Sequence, residues 1–307
     1  MERCVSFKQA GIKIASRVVS KSAAAVTSVL VLAGCSGPDV VNSLVPDAGY
    51  TVIKDLAYGD GPRRTMDLYV PAGAKGGTPT VIFFYGGSWK DGSKDDYKFT
   101  GQALASRGYQ VAVPDYRLYP EVKFPEFLED SAASVASMLA HAGRHGVAPG
   151  PVYLAGHSAG AYNAVMLTID DRWLGAHDLR PCEAIAGTVG LAGPYDFLPL
   201  QSDSLRAIFG PKNQRERTQP INYVNGGSPP LLLSSGLDDS TVSPRNSRRL
   251  AKKVQQMGGS AETRFYEDIG HIWLVASLAA PFRHLAPVLD DMDGFFQQHP
   301  KPRGCNG

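Results

Sequence analysis

The chain has 307 residues, 31 Lys and Arg against 29 Asp and Glu, a formal net charge of +2, and 43% hydrophobic residues. That length and apolar content suffice to bury one large core, which excludes a disordered chain. The near-balanced charge lacks the strongly basic footprint of a nucleic-acid binder, and without an internal repeat a single domain is expected.

Much of the basic charge lies at the start. Arg3, Lys8, Lys13, Arg17 and Lys21 form a basic leader, and Ala23 to Leu32 is apolar but short for a bilayer span. The leader ends in Leu32-Ala33-Gly34-Cys35, which resembles the lipobox of bacterial lipoproteins. The resemblance implies removal of residues 1–34, lipid attachment at the Cys35 thiol, and anchorage in the bacterial cell envelope by acyl chains. Ser36, rather than an acidic residue, follows Cys35, which favours the outer membrane. Losing residues 1–34 removes five basic residues and Glu2, so the formal charge moves from +2 to −2. Cys4 leaves with the leader and Cys35 carries lipid. Cys182 and Cys305 remain, and in an oxidising compartment either a disulfide or two free thiols is open to them.

Residues 35–48 read as a lipidated tether, 49–300 as the folded domain and 301–307 as a tail. Tyr50–Leu56 and Met66–Val70 have the composition of strands joined by the turn Gly59-Asp60-Gly61-Pro62. Thr80-Val81-Ile82-Phe83-Phe84-Tyr85 is the strongest strand signal, a nearly unbroken apolar run suited to burial on both faces of a parallel sheet. A helix is expected from Tyr97 to Ser106, a strand at Tyr109–Val113, and a helix from Phe124 to His145. Pro151–Ala155 follows as a strand, then a helix over Ala161–Ile169. Further strands are read at Ala184–Leu191, Leu231–Ser235 and Glu262–Tyr266, with helices near Pro244–Met257 and Ala286–Gln298. This alternation implies an α/β fold with a mostly parallel central sheet and helices on both faces. Residues 195–228, which include the charged run Lys212–Arg217, interrupt the pattern and read as a small lid.

Between strand and helix stands Gly156-His157-Ser158-Ala159-Gly160. A G-x-S-x-G turn holds a serine hydroxyl clear of the backbone at the carboxyl end of a strand, beside a helix N-terminus. Such a serine needs a histidine to take its proton and a carboxylate to orient that histidine. His271 follows the strand Glu262–Tyr266 by a short loop, whereas His177, His284 and His299 lie away from strand ends. Asp238 and Asp239 both sit just past the strand Leu231–Ser235, and both suit the acid. The glycine pair in Tyr85-Gly86-Gly87-Ser88-Trp89 can bring main-chain N–H groups to an oxyanion, with Ala159 supplying the other donor. His141 and His145 have the i, i+4 spacing of metal ligands but no third ligand, so no metal is expected.

Together, Tyr85–Trp89, Pro114-Asp115-Tyr116-Arg117-Leu118, the Ser158 pentapeptide and Gly270-His271 resemble the α/β-hydrolase carboxylesterases. The similarity is to the feruloyl-esterase-like and kynurenine-formamidase-like branch, with its H-G-G-x-W loop, and covers about residues 50–298. It implies an α/β-hydrolase fold and cofactor-free cleavage of a small-molecule carboxylic ester. The implied triad is Ser158, Asp239 and His271, with an oxyanion hole at Gly86, Gly87 and Ala159. The hydrolase pattern G-x-x-D-x-x-V, running from Gly236 to Val242, selects Asp239 over Asp238. Trp89 and Tyr162 are expected to wall the pocket. Asp115 and Arg117 are expected to hold their loop, and Tyr85 departs from the family by replacing the histidine. An amidase of the formamidase kind, or a binding protein on the same scaffold, are the competing readings.

Overall fold

A computed structural model describes residues 37–140 and 149–305. The leader, Cys35 and the His141/His145 pair lie outside the described residues. Eight strands form one sheet: β1 (Tyr50–Ala57), β2 (Thr65–Pro71), β3 (Thr78–Phe84), β4 (Gln110–Pro114), β5 (Pro149–His157), β6 (Gly187–Leu191), β7 (Leu231–Gly236) and β8 (Ala261–Tyr266). Their spatial order is β1-β2-β4-β3-β5-β6-β7-β8. The pairings β1·β2 and β2·β4 are antiparallel, and every pairing from β4 through to β8 is parallel. This is the mostly parallel α/β sheet that the strand–helix alternation implies.

Parallel strands need crossover helices, and these cover both faces. Along β3, Val81 and Phe83 pack with α2 (Lys98–Ala105) and the last helix, Val288–Gln298, through Phe99, Met292 and Phe296. Ile82 and Phe84 point to the other face, against α3 (Glu126–Ala140) and α4 (Ala159–Ile169), through Phe127, Val135 and Met166. All four β3 side chains have zero exposure, which explains why their run lacks the alternation of a half-solvated strand. Burying each contributes about 1.5–3 kcal/mol. The helix Arg245–Gln256 closes the second face. Leu250, Ala251 and Val254 form its buried stripe, while Arg248, Arg249, Lys252 and Lys253 face water.

Three boundaries differ from the sequence expectations. The tether read over 35–48 is docked from Gly37 onward: α1 (Gly37–Ser43) packs beside α2, with Asn42 accepting from the Phe99 N–H at 3.1 Å and donating to the Asp95 carbonyl at 2.8 Å. Val45 is buried in the same core, so the folded unit begins before residue 49. The strand read at Ala184–Leu191 begins only at Gly187, because Pro181 opens a helical turn over Pro181–Ala184. The tail is also held. Cys305 forms a disulfide with Cys182 (Cα–Cα 5.1 Å), and the Gly304 N–H donates to the Cys182 carbonyl at 3.0 Å. No described helix is long and apolar enough to cross a membrane.

Candidate active site

Strands β5, β7 and β8 run parallel, so their carboxyl ends open on one edge of the sheet, where an α/β fold places its ligands. Ser158 stands in the turn from β5 to α4 with φ 55° and ψ −119°, a strained conformation for a residue with a Cβ. Its N–H donates to the Leu191 carbonyl at 2.8 Å, tying the turn to the end of β6. Gly160 is required by close approach: a Cβ there would meet the Phe84 carbonyl oxygen at 2.0 Å. The turn can pack onto the end of β3 only without a side chain at that position.

The loop after β7 brings Asp239, and the loop after β8 brings His271 at the first position of the helix His271–Ala276. His271 Nδ1 lies 2.7 Å from Asp239 Oδ2, and its Nε2 lies 2.9 Å from Ser158 Oγ. A carboxylate only accepts, so Nδ1–H is the donor to Asp239, and bare Nε2 accepts from the Ser158 hydroxyl. The other Asp239 oxygen accepts from the Thr241 and Val242 N–H groups at 2.9 and 2.8 Å. Burial alone would raise the Asp239 pKa. Hydrogen bonds from His271 and from the Val242 and Thr241 N–H groups outweigh burial, so the carboxyl stays below its ordinary value. Asp238, by contrast, is exposed.

The glycine loop divides its predicted work differently. The Gly86 N–H donates to Tyr97 Oη at 3.1 Å, so Gly86 is withdrawn from the oxyanion set and its amide instead secures the loop. The N–H groups of Gly87, Ser88 and Ala159 donate to nothing among the described residues, and Ser88 and Ala159 line the cleft at Ser158. Gly87 has φ +132°, and a Cβ there would meet the Asp91 carbonyl oxygen at 1.9 Å, so the tight turn Gly87–Asp91 admits no side chain at its first position. The sequence offers Gly87 or its neighbour as the second donor, and Ser88 is one such neighbour. Because an oxyanion donor contributes main chain only, nothing in the serine itself marks it.

The cleft holds about 320 Å³. Trp89, Pro194, Phe197, Leu198, Leu205 and Val242 give it apolar walls, and Gln201, Thr241, Ser243 and Arg245 lie at its polar side. Trp89 lines it as expected, held by donation of its indole N–H to Asn163 Oδ1 at 3.0 Å. Tyr162 does not reach it. Its ring packs edge-on behind Trp89 with centroids 5.0 Å apart, and its hydroxyl donates to the Thr218 carbonyl at 2.7 Å. One helical turn beyond Ser158, Tyr162 points into the core that supports the tryptophan. Only the first part of 195–228 reaches the cleft; the charged run Lys212–Arg217 does not line it.

A second histidine, unremarked in the sequence, lies beneath the first. His157 is buried, and its ring centroid is 4.7 Å from that of His271. Its Nε2–H donates to the His271 carbonyl at 3.1 Å, so Nδ1 is bare and accepts from the Tyr97 hydroxyl at 3.2 Å. Burial, reinforced by the neighbouring His271, pushes the His157 pKa down to about 3. A neutral relay therefore runs from the Gly86 N–H through Tyr97 and His157 to the main chain of His271. Tyr85 occupies the place of the family histidine. Its ring stacks on Tyr116 with centroids 4.6 Å apart, and its hydroxyl accepts from Arg63 at 2.7 Å. Asp115 accepts from the Lys94 N–H, and Arg117 grips Asp130 on α3 at 2.8 and 2.9 Å, so both act as supports of the loop after β4.

Residues 66–254 match the BD-FAE family model. The chain belongs to the BD-FAE family. Among curated relatives, this BD-FAE protein is 30% identical over 241 residues to a probable isoprenylcysteine alpha-carbonyl methylesterase of Arabidopsis thaliana, covering 72% of this chain and 51% of that protein. It therefore spans about half the length of that relative. A kynurenine formamidase of Danio rerio is 31% identical, with 79% of this chain and 82% of that protein covered. Among solved structures, a truncated carbohydrate esterase from gut microbiota superposes with a TM-score of 0.71 at 19% identity, covering 83% and 99% of the two chains. Esterase B from Lactobacillus rhamnosis does so with 0.72 at 20% identity, covering 91% and 95%. These two likenesses establish the α/β-hydrolase fold.

Proposed function

We propose that this protein is a serine hydrolase that cleaves small carboxylic esters through an acyl-enzyme. The observation that carries the reading is the unbroken hydrogen-bond chain from Ser158 Oγ through His271 to Asp239, opening on an apolar cleft. Ser158 Oγ attacks the ester carbonyl while His271 Nε2 takes its proton, and buried Asp239 stabilises the resulting imidazolium and holds its tautomer. The oxyanion is received by the N–H groups of Ala159 and of Gly87 or Ser88. His271 then returns the proton to the leaving alkoxide, which departs as the alcohol. Water, activated by the same imidazole, attacks the acyl-serine, releases the carboxylic acid and restores Ser158.

The test is a panel of p-nitrophenyl esters of increasing acyl length, feruloyl esters and N-formylkynurenine, run on wild type and Ser158→Ala. Turnover of esters that falls by about 10³-fold or more in Ser158→Ala is the expected result. Residual full activity in that variant would sink the nucleophile. Preference for the formyl amide would favour the amidase reading, to which the coverage of the fish formamidase lends support. No turnover of any substrate would favour a binding role.

We also infer that the mature protein is held in a bacterial envelope by lipid at Cys35. The basic leader, the short apolar run and the Ala33-Gly34-Cys35 site support this, and the Cys182–Cys305 disulfide suits an exported protein. Full-length Cys35→Ser is expected to lose the lipid label and leave the membrane fraction, and retention of both would refute the anchor.

A further inference from the structure

Among the described residues, one charged side chain lines the cleft beside Ser158, and none of them neutralises it. Arg245 lines the cleft, is solvent-exposed, and its guanidinium has no hydrogen-bond or ion-pair partner among the described residues. The two other arginines of the same helix are engaged: Arg249 pairs with Asp196 at 2.6 Å and Arg248 lies over the Phe265 ring at 4.3 Å. No carboxylate among the described residues lines the cleft. Asp239 is turned away into its bonds with His271, Thr241 and Val242, and Asp196 is held by Arg249.

The placement also works against the helix that carries it. Arg245 is the first residue of the helix Arg245–Gln256, whose first turn has no acidic residue. A cation there faces the positive end of the helix dipole, an unfavourable position. A residue that breaks a local rule without an internal partner is where a functional role is looked for. Gln201, Thr241 and Ser243 add polar groups to the lining, and Trp89, Phe197 and Leu198 add apolar ones. The cleft therefore has an apolar body and a single cationic contact whose planar fork fits a carboxylate.

We propose that Arg245 selects esters bearing an ionised carboxylate elsewhere in the molecule, so that the enzyme acts on monoanionic esters in preference to neutral ones. The proposal rests on the ester-hydrolase reading above. The anion sits on the guanidinium while the apolar walls hold the chain between it and the scissile carbonyl at Ser158. Arg245 acts in binding and takes no part in the proton transfers.

Two matched substrate pairs test it by pH-stat at pH 7.5. Monoethyl glutarate against ethyl 5-oxohexanoate places the carboxylate, or its neutral acetyl mimic, on the acid side. Carboxymethyl butyrate against acetonyl butyrate places it on the alcohol side. In wild type the anionic member of one pair is expected to have the higher kcat/KM. Arg245→Gln should lower that anion-to-neutral ratio at least tenfold, chiefly through KM, and Arg245→Lys should recover part of it. The pair that responds identifies the side of the ester that carries the charge. Esters turned over with ratios that Arg245→Gln leaves unchanged in both pairs would overturn this proposal while the hydrolase reading stands. If wild type hydrolyses none of these four substrates nor any member of the ester and formamide panel, the hydrolase reading fails and the proposal falls with it.

Discussion

Neutral His157 makes the fold sensitive to acid in a way that can be isolated. Its folded pKa, about 3, is far below the ordinary value of 6.5, with burial the main cause and the neighbouring His271 reinforcing it. Between those two pH values the unfolded chain binds a proton at this residue that the folded chain refuses. Stability is therefore fully present above about pH 6.5 and falls as pH drops, by about 1.4 kcal/mol per pH unit, until the folded pKa is reached. From pH 7 to pH 4.5 this one group removes about 3 kcal/mol, a large part of the usual stability of a single domain. His157→Gln keeps a donor toward the His271 carbonyl and an acceptor toward Tyr97 but does not titrate. Urea unfolding of both proteins at pH 7, 6, 5 and 4.5 gives the comparison, because every other acid-sensitive group is shared and cancels. Wild type should lose about 3 kcal/mol more than the variant across that range. Parallel pH profiles would show that His157 binds its proton as readily in the folded chain as in the unfolded one and refute its depressed titration.

Other outcomes follow from the same geometry. Asp239→Asn should lower kcat by roughly 10³–10⁴-fold, because an amide in that position no longer enforces the Nδ1–H tautomer of His271; a loss under tenfold in steady-state assays would remove Asp239 from the triad. Tyr97→Phe should shift the urea midpoint down by the equivalent of about 1–3 kcal/mol, since it strips partners from the buried Gly86 N–H and His157 Nδ1 together; an unchanged midpoint would mean that water replaces them. Gly160→Ala should yield little folded protein, because its methyl group collides with main chain at Phe84 and Tyr85 rather than with a side chain that can turn away; wild-type yield and melting temperature would contradict the packing. Cys305→Ser should destabilise by about 2–5 kcal/mol, as the bond closes a loop of 123 residues, and thermal unfolding with and without reductant reads the effect.

Much of the fold could be read from local chemistry. The run Thr80–Tyr85 announced a strand buried on both faces, and the alternation of apolar runs with helix-forming stretches announced the parallel sheet. The Ser158 turn was legible because G-x-S-x-G answers two constraints at once, a strained serine and a helix packed onto a strand end. The short Gly187–Leu191 strand was overextended because Ala184 and Ile185 are apolar enough for a strand, while Pro181 sets a helical turn first. Docking of residues 37–48 was invisible: polar Asn42 reads as linker composition until its side chain meets the main chain at Asp95 and Phe99.

Within the site, residue identity and spacing singled out Ser158 and His271, because each follows a strand end by a short loop, while both aspartates after β7 met that test and only the hydrolase pattern from Gly236 to Val242 favoured Asp239. Tertiary structure alone decided which groups face the cleft. Tyr162 turned inward because one helical turn beyond Ser158 points toward Trp89 and the core. Gly86 lost its free amide because Tyr97, eleven residues away, returns to accept it. Arg245 gained significance only when the loop after β7 carried it into the cleft of Ser158, which no described carboxylate lines. A one-dimensional pattern records which atoms a residue brings, but hydrogen-bond partners and unpaired charges are properties of neighbours, and those exist only after the chain has folded.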